Sequence, residues 1–180
     1  MKITETPFKG LFIIEPSVFE DDRGYFLESW NQQKFRENGL DFTFVQDNQS
    51  MSSANVLRGL HFQLPPWEQG KLIRVFQGSV LDVAVDLRKD QPTFGKHFSL
   101  VISEKLKNML WIPPGFAHGF LTLEDHTVFF YKSTNFYNRE SDSGIFWNDP
   151  DLGIDWGIED PIVSEKDQNA MRFRDFNSPF

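Results

Sequence analysis

The segment Arg58–Gln63, together with Lys71, carries the residues best suited to chemistry. Two cations, a histidine and an amide lie within 14 residues of an otherwise apolar stretch. If this stretch is a strand, its side chains repeat every two residues, so His61 and Gln63 face the same way. Histidine exchanges a proton near neutral pH, which makes His61 a candidate base. A lone strand histidine is more often a hydrogen-bonded core residue. The neighbouring cations favour a binding or catalytic site here, because a buried cation is costly unless it contacts an anion or water.

The segment Pro113–Phe120 contains a Pro-x-Gly-x-x-His turn, which places His118 at the start of a strand and points it into a barrel mouth. This turn resembles the second signature of the cupin superfamily, whose fold is a double-stranded β-helix. Metal-binding cupins add a His-x-His pair and a glutamate, whereas this chain has Gln63 at the second histidine position. We therefore expect no metal. The alternative, a catalytic metal held by His61, Glu68 and His118, stays open because three ligands suffice in principle.

Three further segments are weaker on their own. Phe19–Glu28 is typical of an acidic turn that leads into a strand. Tyr131 lies at the end of an apolar strand, where a tyrosine usually serves packing. Ser164–Asp167 has the pattern of a helix cap or of a surface segment. None of them indicates a function without the context of the others.

Short strands dominate the secondary structure that the sequence predicts. One helix is expected over Asn31–Asn38, with Asn31 as its N-cap and Gly39 at its end. We expect the fifth and sixth predicted strands to pair as a hairpin around Gly78. The ten predicted strands are Leu11–Ile14, Gly24–Trp30, Phe44–Gln49, Val56–Gln63, Lys71–Phe76, Val80–Leu87, His97–Ile102, Met109–Ile112, Gly119–Leu123 and Thr127–Ser133.

The alternation of residue types is clearest in Val80–Leu87, where one face carries only apolar side chains and the other includes Asp82 and Asp86. Ten short strands at this spacing predict an all-β fold, either a β-sandwich, a jelly roll or a small barrel. The chain after Tyr137 is richer in Asp, Gly and Pro, and we expect it to pack on the barrel as irregular structure. No linker or repeat divides the sequence, so residues 1–180 are expected to form one domain.

The composition excludes several classes of function. Twenty-six acidic residues against 18 basic ones give a net charge of −8, so a nucleic acid is not an expected partner. The chain has no cysteine, and therefore no disulfide, thiolate nucleophile or Cys-ligated zinc. No apolar run approaches the ~20 residues of a membrane span, and the first residues lack the pattern of a signal peptide. We expect a cytoplasmic protein. Aromatic residues reach 16%, with 20 Phe, which predicts an aromatic pocket or an oligomer interface.

Taken together, the sequence resembles the dTDP-4-dehydrorhamnose 3,5-epimerase family from about residue 8 to residue 167. Any one of the matching segments would be weak, but ten occur in the same order at matching spacing. The segments are Asp22–Glu28, Gln46–Ser50, Leu57–Gln63, Gln69–Leu72, Asp82–Arg88, Pro92–Gly95, Pro114–Phe120, Tyr131–Lys132, Trp147–Pro150 and Ser164–Asp167. The resemblance implies a cupin-like jelly roll with a few short helices.

The resemblance also implies an isomerase of deoxysugar synthesis that needs no cofactor. This family inverts carbons 3 and 5 of a thymidine-diphosphate-linked 4-keto-6-deoxyhexose, which gives the dehydrorhamnose precursor of L-rhamnose. By matching positions, His61 is the base, Tyr131 is the acid and Asp167 orients His61. Tyr137 matches a ring that stacks on thymine. The family usually has Glu where this chain has Asp142, whose shorter side chain would reach the substrate through a water. The other matching substrate contacts are Arg23, Glu28, Gln46, Asn48, Arg58, Lys71, His118 and Lys166.

The chemistry agrees with these roles. Inverting a carbon next to a ketone requires proton removal to an enolate and reprotonation of the opposite face, hence a base, an acid and a group that stabilises the oxyanion. His61 and Tyr131 would act on the two opposite faces of the carbon, and we choose Lys71 as the group that stabilises the enolate oxygen. The diphosphate of the substrate would explain Arg23 and Arg58, because guanidinium groups suit phosphate oxygens.

One geometric conflict concerns Arg58 and His61. They are three residues apart, so a regular strand would point them to opposite faces. Either Gly59 permits a bulge that turns Arg58, or one of the two meets a site shared with a second subunit. The resemblance implies a homodimer, which would also bury surplus aromatic side chains.

Three other functions stay open at this point. The chain could be a cupin-like module that binds nucleotide sugars without chemistry, or a metal-dependent cupin oxygenase or isomerase. It could also be a relative that inverts only one of the two carbons or acts in another deoxysugar pathway. His61, Lys71 and Tyr131 would serve one inversion as well as two.

Overall fold

Strands form most of the regular structure in the computed structural model, which describes all 180 residues. The strands are β1 (Lys2–Glu5), β2 (Phe12–Glu15), β3 (Val18–Asp21), β4 (Gly24–Leu27), β5 (Gln46–Ser52), β6 (Val56–Gln63), β7 (Lys71–Gln77), β8 (Ser79–Asp86), β9 (His97–Ser103), β10 (Met109–Ile112), β11 (Phe116–Thr122), β12 (Thr127–Ser133), β13 (Asp142–Gly144) and β14 (Ile162–Val163). The helices are α1 (Gln32–Glu37), α2 (Glu165–Gln168) and a 3₁₀ turn at Phe173–Asp175. None of these helices is long and apolar enough to cross a membrane.

Two sheets face each other and form the jelly roll that the sequence predicted. The strand order is β1-β2-β10-β7-β12-β5 in the first sheet and β13-β6-β11-β8-β9 in the second, where β14 also runs parallel to β6. Strands β3 and β4 form a separate two-stranded hairpin. The predicted all-β class with few short helices is confirmed.

The core between the sheets is apolar and rich in rings. Val80 and Ala84 of β8 point into it, whereas Val83 and Val85 belong to the cluster on the other side of the second sheet. The alternation of side chains that the sequence predicted for this strand is therefore confirmed. Phe120 and Phe129 stack in the core with ring centroids 3.9 Å apart.

Part of the outer face of each sheet is also covered. The second sheet packs against the chain that follows β13, including Leu152 and Trp156, so the expected packing of the tail on the barrel is confirmed. The first sheet packs against α1, whose Phe35 is 1% exposed, and against the aromatic segment after it. Asn31 caps α1 as predicted, accepting a hydrogen bond from the backbone N–H of Lys34 at 3.1 Å.

The predicted hairpin between the fifth and sixth strands is wrong. Strand β7 pairs with β10 and β12 in the first sheet, while β8 pairs with β9 and β11 in the second. The chain therefore crosses between sheets at Gly78, where φ is +76° and an added Cβ would lie 2.5 Å from Oγ1 of Thr127. A short turn between apolar strands is compatible with either connection, and only the packing of both sheets selects one.

Several element boundaries differ from the prediction. Strand β4 ends at Leu27 rather than Trp30, β5 begins at Gln46 rather than Phe44, and β11 begins at Phe116 rather than Gly119. Strands β1, β3, β13 and β14 were not predicted, and helix α2 was indicated only as one of two interpretations of Ser164–Asp167, a helix cap or a surface segment. Each of these has four residues or fewer, which is too short for a hydrophobic period to be visible.

Candidate active site

A cavity of about 310 Å³ opens between the two sheets. Its walls come from β5, β6, β7, β11 and β12, so it is framed by strands of both sheets. The lining residues are Asn48, Gln49, Ser50, Arg58, His61, Lys71, His118, Phe120, Phe129 and Tyr131. A larger cleft of about 550 Å³ lies on the tail and includes Arg172 and Arg174, but neither histidine nor tyrosine lines it. The base and the acid that the sequence predicted thus share the inner cavity.

A bulge in β6 brings Arg58 and His61 to the same cavity. His61 lies opposite His118 and Arg58 lies opposite Phe120, so β6 has one residue more than β11 between the two pairs. Gly59 sits in the bulge with φ +142°, and an added Cβ there would lie 2.5 Å from Cα of Gly119 on β11. Of the two explanations that the sequence left open, the bulge at Gly59 is the one that the structure contains, and it removes the conflict over the two side chains.

His61 forms a short hydrogen bond with Asp167, which α2 carries. The distance from Nε2 to Oδ1 is 2.6 Å, and the other carboxylate oxygen accepts from the backbone N–H of Gly59 at 3.2 Å. Ser164 caps α2 by accepting from the N–H of Asp167. Burial alone would raise the pKa of Asp167, but the hydrogen bond and charge of His61, with the two other donors, lower it. The carboxylate therefore stays charged and fixes Nε2 of His61, leaving Nδ1 without a protein partner.

Tyr131 and Lys71 stand together on the first sheet. The Nζ atom of Lys71 lies 5.5 Å from the centroid of the Tyr131 ring. Burial raises the pKa of Tyr131, and the negative charge of Asp142 adds to this, so the phenol is protonated near neutral pH. Burial lowers the pKa of Lys71 to about 8, although Asp82 and Asp142 oppose the shift. The site thus holds one protonated phenol and one buried ammonium.

His118 forms a second histidine–carboxylate pair with Asp82. The distance from Nε2 to Oδ2 is 2.9 Å, and both side chains are buried. The sequence identified Asp82 as a polar position on one face of its strand and as part of a segment that matches the family, but gave it no role in the site. An acid on the inward face of an alternating strand was the signal that could have marked it as a site residue.

A polar network next to the cavity joins five of the predicted substrate contacts. Tyr137 donates its hydroxyl hydrogen to Asp142 at 3.2 Å, and Lys166 donates to the same oxygen at 2.5 Å. Burial alone would lower the pKa of Lys166, but the hydrogen bond and charge of Asp142 raise it. Gln46 accepts from the N–H of Tyr137 and donates to Oδ1 of Asn48, whose Nδ2 is buried without a partner. Asp142 therefore holds Tyr137 and Lys166 in place.

Arg23 and Glu28 lie outside this site. Arg23 is at the tip of the β3–β4 hairpin, where its side chain is 90% exposed and pairs with Asp21. Glu28 follows the hairpin and pairs with Lys34 at 2.7 Å. Neither residue lines the cavity in this chain. That both residues contact substrate stays a prediction.

Gln63 and Glu68, the residues weighed for a metal, have different surroundings. The amide of Gln63 donates to the carbonyls of Trp67 and Phe136 and accepts from the N–H of Asn138. It therefore links the loop after β6 to the loop after β12. One oxygen of Glu68 is buried without a hydrogen-bond partner. No group of three or more metal-ligating side chains is present in the structure.

Two facing sheets with a polar cavity between them make this chain a jelly-roll protein of the cupin type. The model of the family described as dTDP-4-dehydrorhamnose 3,5-epimerase matches residues 5–175. The chain belongs to the dTDP-4-dehydrorhamnose 3,5-epimerase family and is an isomerase.

Individual relatives agree over nearly the whole chain. A dTDP-4-dehydrorhamnose 3,5-epimerase of Methanothermobacter thermautotrophicus is 51% identical over 177 residues, covering 97% of this chain and 95% of that protein. The crystal structure of a protein of the same name from Elizabethkingia anophelis has a TM-score of 0.93 at 52% identity and covers 97% of both chains. A dTDP-6-deoxy-D-glucose-3,5-epimerase from Legionella pneumophila, in complex with dTDP-4-keto-L-rhamnose, has a TM-score of 0.93 at 43% identity, covering 98% of this chain and 94% of that one.

A relative of different specificity is similar in fold but more distant in sequence. The 3'-monoepimerase ChmJ from Streptomyces bikiniensis, in complex with dTDP-quinovose, has a TM-score of 0.88 at 31% identity and covers 94% of this chain and 86% of that one. Backbone similarity alone therefore does not separate enzymes that invert one carbon from enzymes that invert two.

Proposed function

We propose that this protein inverts carbons 3 and 5 of dTDP-4-dehydro-6-deoxy-D-glucose and thereby makes dTDP-4-dehydro-L-rhamnose, the precursor of dTDP-L-rhamnose. Residues 1–180 act as one catalytic domain. The observation that carries the proposal is the cavity in which His61, backed by Asp167, shares one space with Tyr131 and the buried Lys71. A module that only binds sugar nucleotides has no need for this combination of base, acid and buried cation.

Each inversion proceeds through an enolate. His61 takes the proton from the carbon next to the ketone, the C–H electron pair forms the C=C bond, and the carbonyl oxygen becomes negative. The ammonium of Lys71 stabilises this oxygen in a site of low dielectric. Tyr131 then gives its phenolic proton to the opposite face of the same carbon. Exchange with water returns His61 and Tyr131 to their starting states, and Asp167 stabilises the charged imidazole in between.

The remaining polar residues bind the nucleotide part of the substrate. Arg58, next to the base, contacts the diphosphate, because guanidinium hydrogen bonds to phosphate are strong and directional. Tyr137 is 56% exposed and offers a ring face for thymine to stack on. The other contacts with the substrate come from Gln46, Asn48, His118, Asp142 and Lys166.

The protein acts in the cytoplasm as a homodimer whose β3–β4 hairpins complete the partner's site. The hairpin carries Arg23 and three exposed rings, Phe19, Tyr25 and Phe26, which are 65%, 53% and 69% exposed. So much exposed aromatic surface on a hairpin that pairs with neither main sheet is typical of an interface. In the dimer, Arg23 joins Arg58 on the diphosphate and Glu28 contacts the substrate.

Inversion of both carbons is favoured over inversion of one. Identity is 39% to 52% to proteins named 3,5-epimerases and 31% to the 3'-monoepimerase. A single-carbon epimerase of another deoxysugar pathway is the second candidate, because its fold would be almost the same.

Proton NMR in heavy water tests the function directly. With the 4-keto sugar nucleotide, we expect deuterium at carbons 3 and 5, and a coupled reductase should convert the product to dTDP-L-rhamnose. Deuterium at one carbon only would indicate a monoepimerase. Deuterium at neither carbon would indicate a module that binds the nucleotide sugar without catalysis.

No metal or other cofactor takes part in the proposed reaction, because Gln63 stands where metal cupins place a ligand and its amide is held by backbone groups. We expect treatment with a chelator to leave turnover unchanged. Loss of activity that a divalent ion restores would contradict this.

A further inference from the structure

Asp82 is a buried carboxylate on the inner face of β8 that no step above uses. Its exposed fraction is 0%. Oδ2 accepts a hydrogen bond from Nε2 of His118 at 2.9 Å, whereas Oδ1 has no hydrogen-bond partner. Burying a charged carboxylate with one of its oxygens unpaired opposes folding. A function in the cavity would explain why the residue is an acid.

The bond to Asp82 determines what His118 can offer to a ligand. Burial lowers the pKa of His118, and the opposing charge of Asp82 does not reverse this, so the ring is neutral at pH 7. A neutral imidazole has one N–H, and a carboxylate can only accept. The hydrogen therefore sits on Nε2. Nδ1 is left as an acceptor that bonds to no protein group, on a ring that lines the cavity.

Lys71 lines the same cavity as His118, the hydrogen-bond partner of Asp82, so a negative charge on Asp82 favours the ammonium form of Lys71. Of its two neighbouring acids, Asp142 is already paired with Lys166, and Asp82 is paired only with His118. Asp82 also opposes the lowering of the pKa of Lys71 that burial causes. The titratable groups around Lys71, each on a different strand, are Asp82, His118, His61, Tyr131 and Asp142.

We propose that Asp82 is a positioning residue that acts through His118 and Lys71. It fixes the hydrogen of His118 on Nε2, so that Nδ1 accepts a hydrogen bond from a hydroxyl group of the sugar. Its negative charge keeps Lys71 in the ammonium form that the enolate needs. His118 thus binds a donor on the substrate and does not itself stabilise the oxyanion. The inference rests on the proposed function.

Replacing Asp82 by Asn tests whether the charge of Asp82 keeps Lys71 protonated, since the amide keeps the size and one acceptor oxygen but removes the charge. Lys71 then loses its proton at lower pH, so the alkaline limb of the pH profile of kcat/KM moves down by roughly one pH unit or more.

Asp86→Asn is the matched control. Asp86 is also 0% exposed and lies on the same face of β8, but it pairs with Arg88 and Thr93. We expect Asp86→Asn to lower the melting temperature and leave the limb in place. An alkaline limb that is the same in Asp82→Asn as in the parent would overturn the proposal.

Two-bond ¹H–¹⁵N NMR of the unmodified protein tests the proposed tautomer of His118. The measurement needs neither turnover nor a folded variant. We expect the signals of His118 to be those of the Nε2–H tautomer from about pH 6 to 8. An Nδ1–H tautomer or a charged ring in this range would overturn the assignment of His118 as an acceptor. If the parent protein does not epimerise the sugar nucleotide, the proposed function fails, while this measurement still decides the state of His118.

Discussion

His61 and Tyr131 divide proton transfer between two faces of one carbon, and each can be altered with little change of volume. We expect His61→Asn to abolish turnover and leave folding and substrate binding nearly intact, because Asn is polar and of similar size but cannot take up a proton near neutral pH. Calorimetric binding of dTDP and a turnover assay check this. Epimerisation within ten-fold of the parent rate would mean that another group is the base.

Tyr131→Phe should separate proton removal from inversion. The base and the enolate stabiliser stay in place, so His61 returns the proton, now deuterium in heavy water, to the face it came from. We expect deuterium next to the ketone with the starting stereochemistry retained, while inversion falls by about 10²–10⁴, the usual contribution of a positioned acid. NMR follows both in one tube.

Tyr137→Phe is the control for that experiment, because it also removes one phenolic hydroxyl, but from a ring that is 56% exposed. It should raise KM and leave exchange and inversion coupled. If Tyr131→Phe exchanges and inverts at the parent rate, Tyr131 is a packing residue and the mechanism is wrong.

The bulge of β6 is the element that makes the site, because without it Arg58 and His61 would face opposite sides of the sheet. Gly59→Ala adds a Cβ 2.5 Å from Gly119 at a φ of +142°. We expect a loss of stability on the order of 1–3 kcal/mol or more, together with loss of turnover. Denaturant unfolding and a turnover assay measure the two effects.

Gly157→Ala is the matched control for the bulge. Gly157 also has a positive φ, +70°, but an added Cβ there would meet nothing within 4 Å. We expect a modest loss of stability and full activity. Full activity in Gly59→Ala would show that the register of β6 does not determine the site.

At the scale of the whole molecule, the proposed sharing of sites between subunits can be tested by complementation. Arg23→Ala should weaken binding about ten-fold or more, as expected for a charged hydrogen bond of ~1.5–3 kcal/mol, and His61→Asn should be inactive. In a mixed dimer, one site has an intact His61 and receives an intact Arg23 from its partner. Activity is measured as kcat/KM, with substrate well below KM, because Arg23→Ala affects binding. We expect an equal mixture, unfolded and refolded together, to recover about a quarter of the parent value, since half of the dimers are mixed and each has one complete site. A mixture that is no more active than the Arg23→Ala protein alone would refute shared sites.

The sequence by itself determined the strand class and the inward and outward faces of β8, because side-chain alternation is a local property. Residue chemistry singled out His61 and its neighbouring cations, whereas the roles of Tyr131 and Asp167 followed only from the resemblance to the family. It also offered a bulge at Gly59 as one of two explanations for Arg58 and His61, the other being a site shared with a second subunit. Only the tertiary structure decided that the chain crosses between sheets at Gly78, that α2 is the element that brings Asp167 within 2.6 Å of His61, and that Asp82 lies against His118. These contacts depend on how two sheets pack and on very short elements such as α2, and no periodic pattern along the chain encodes either.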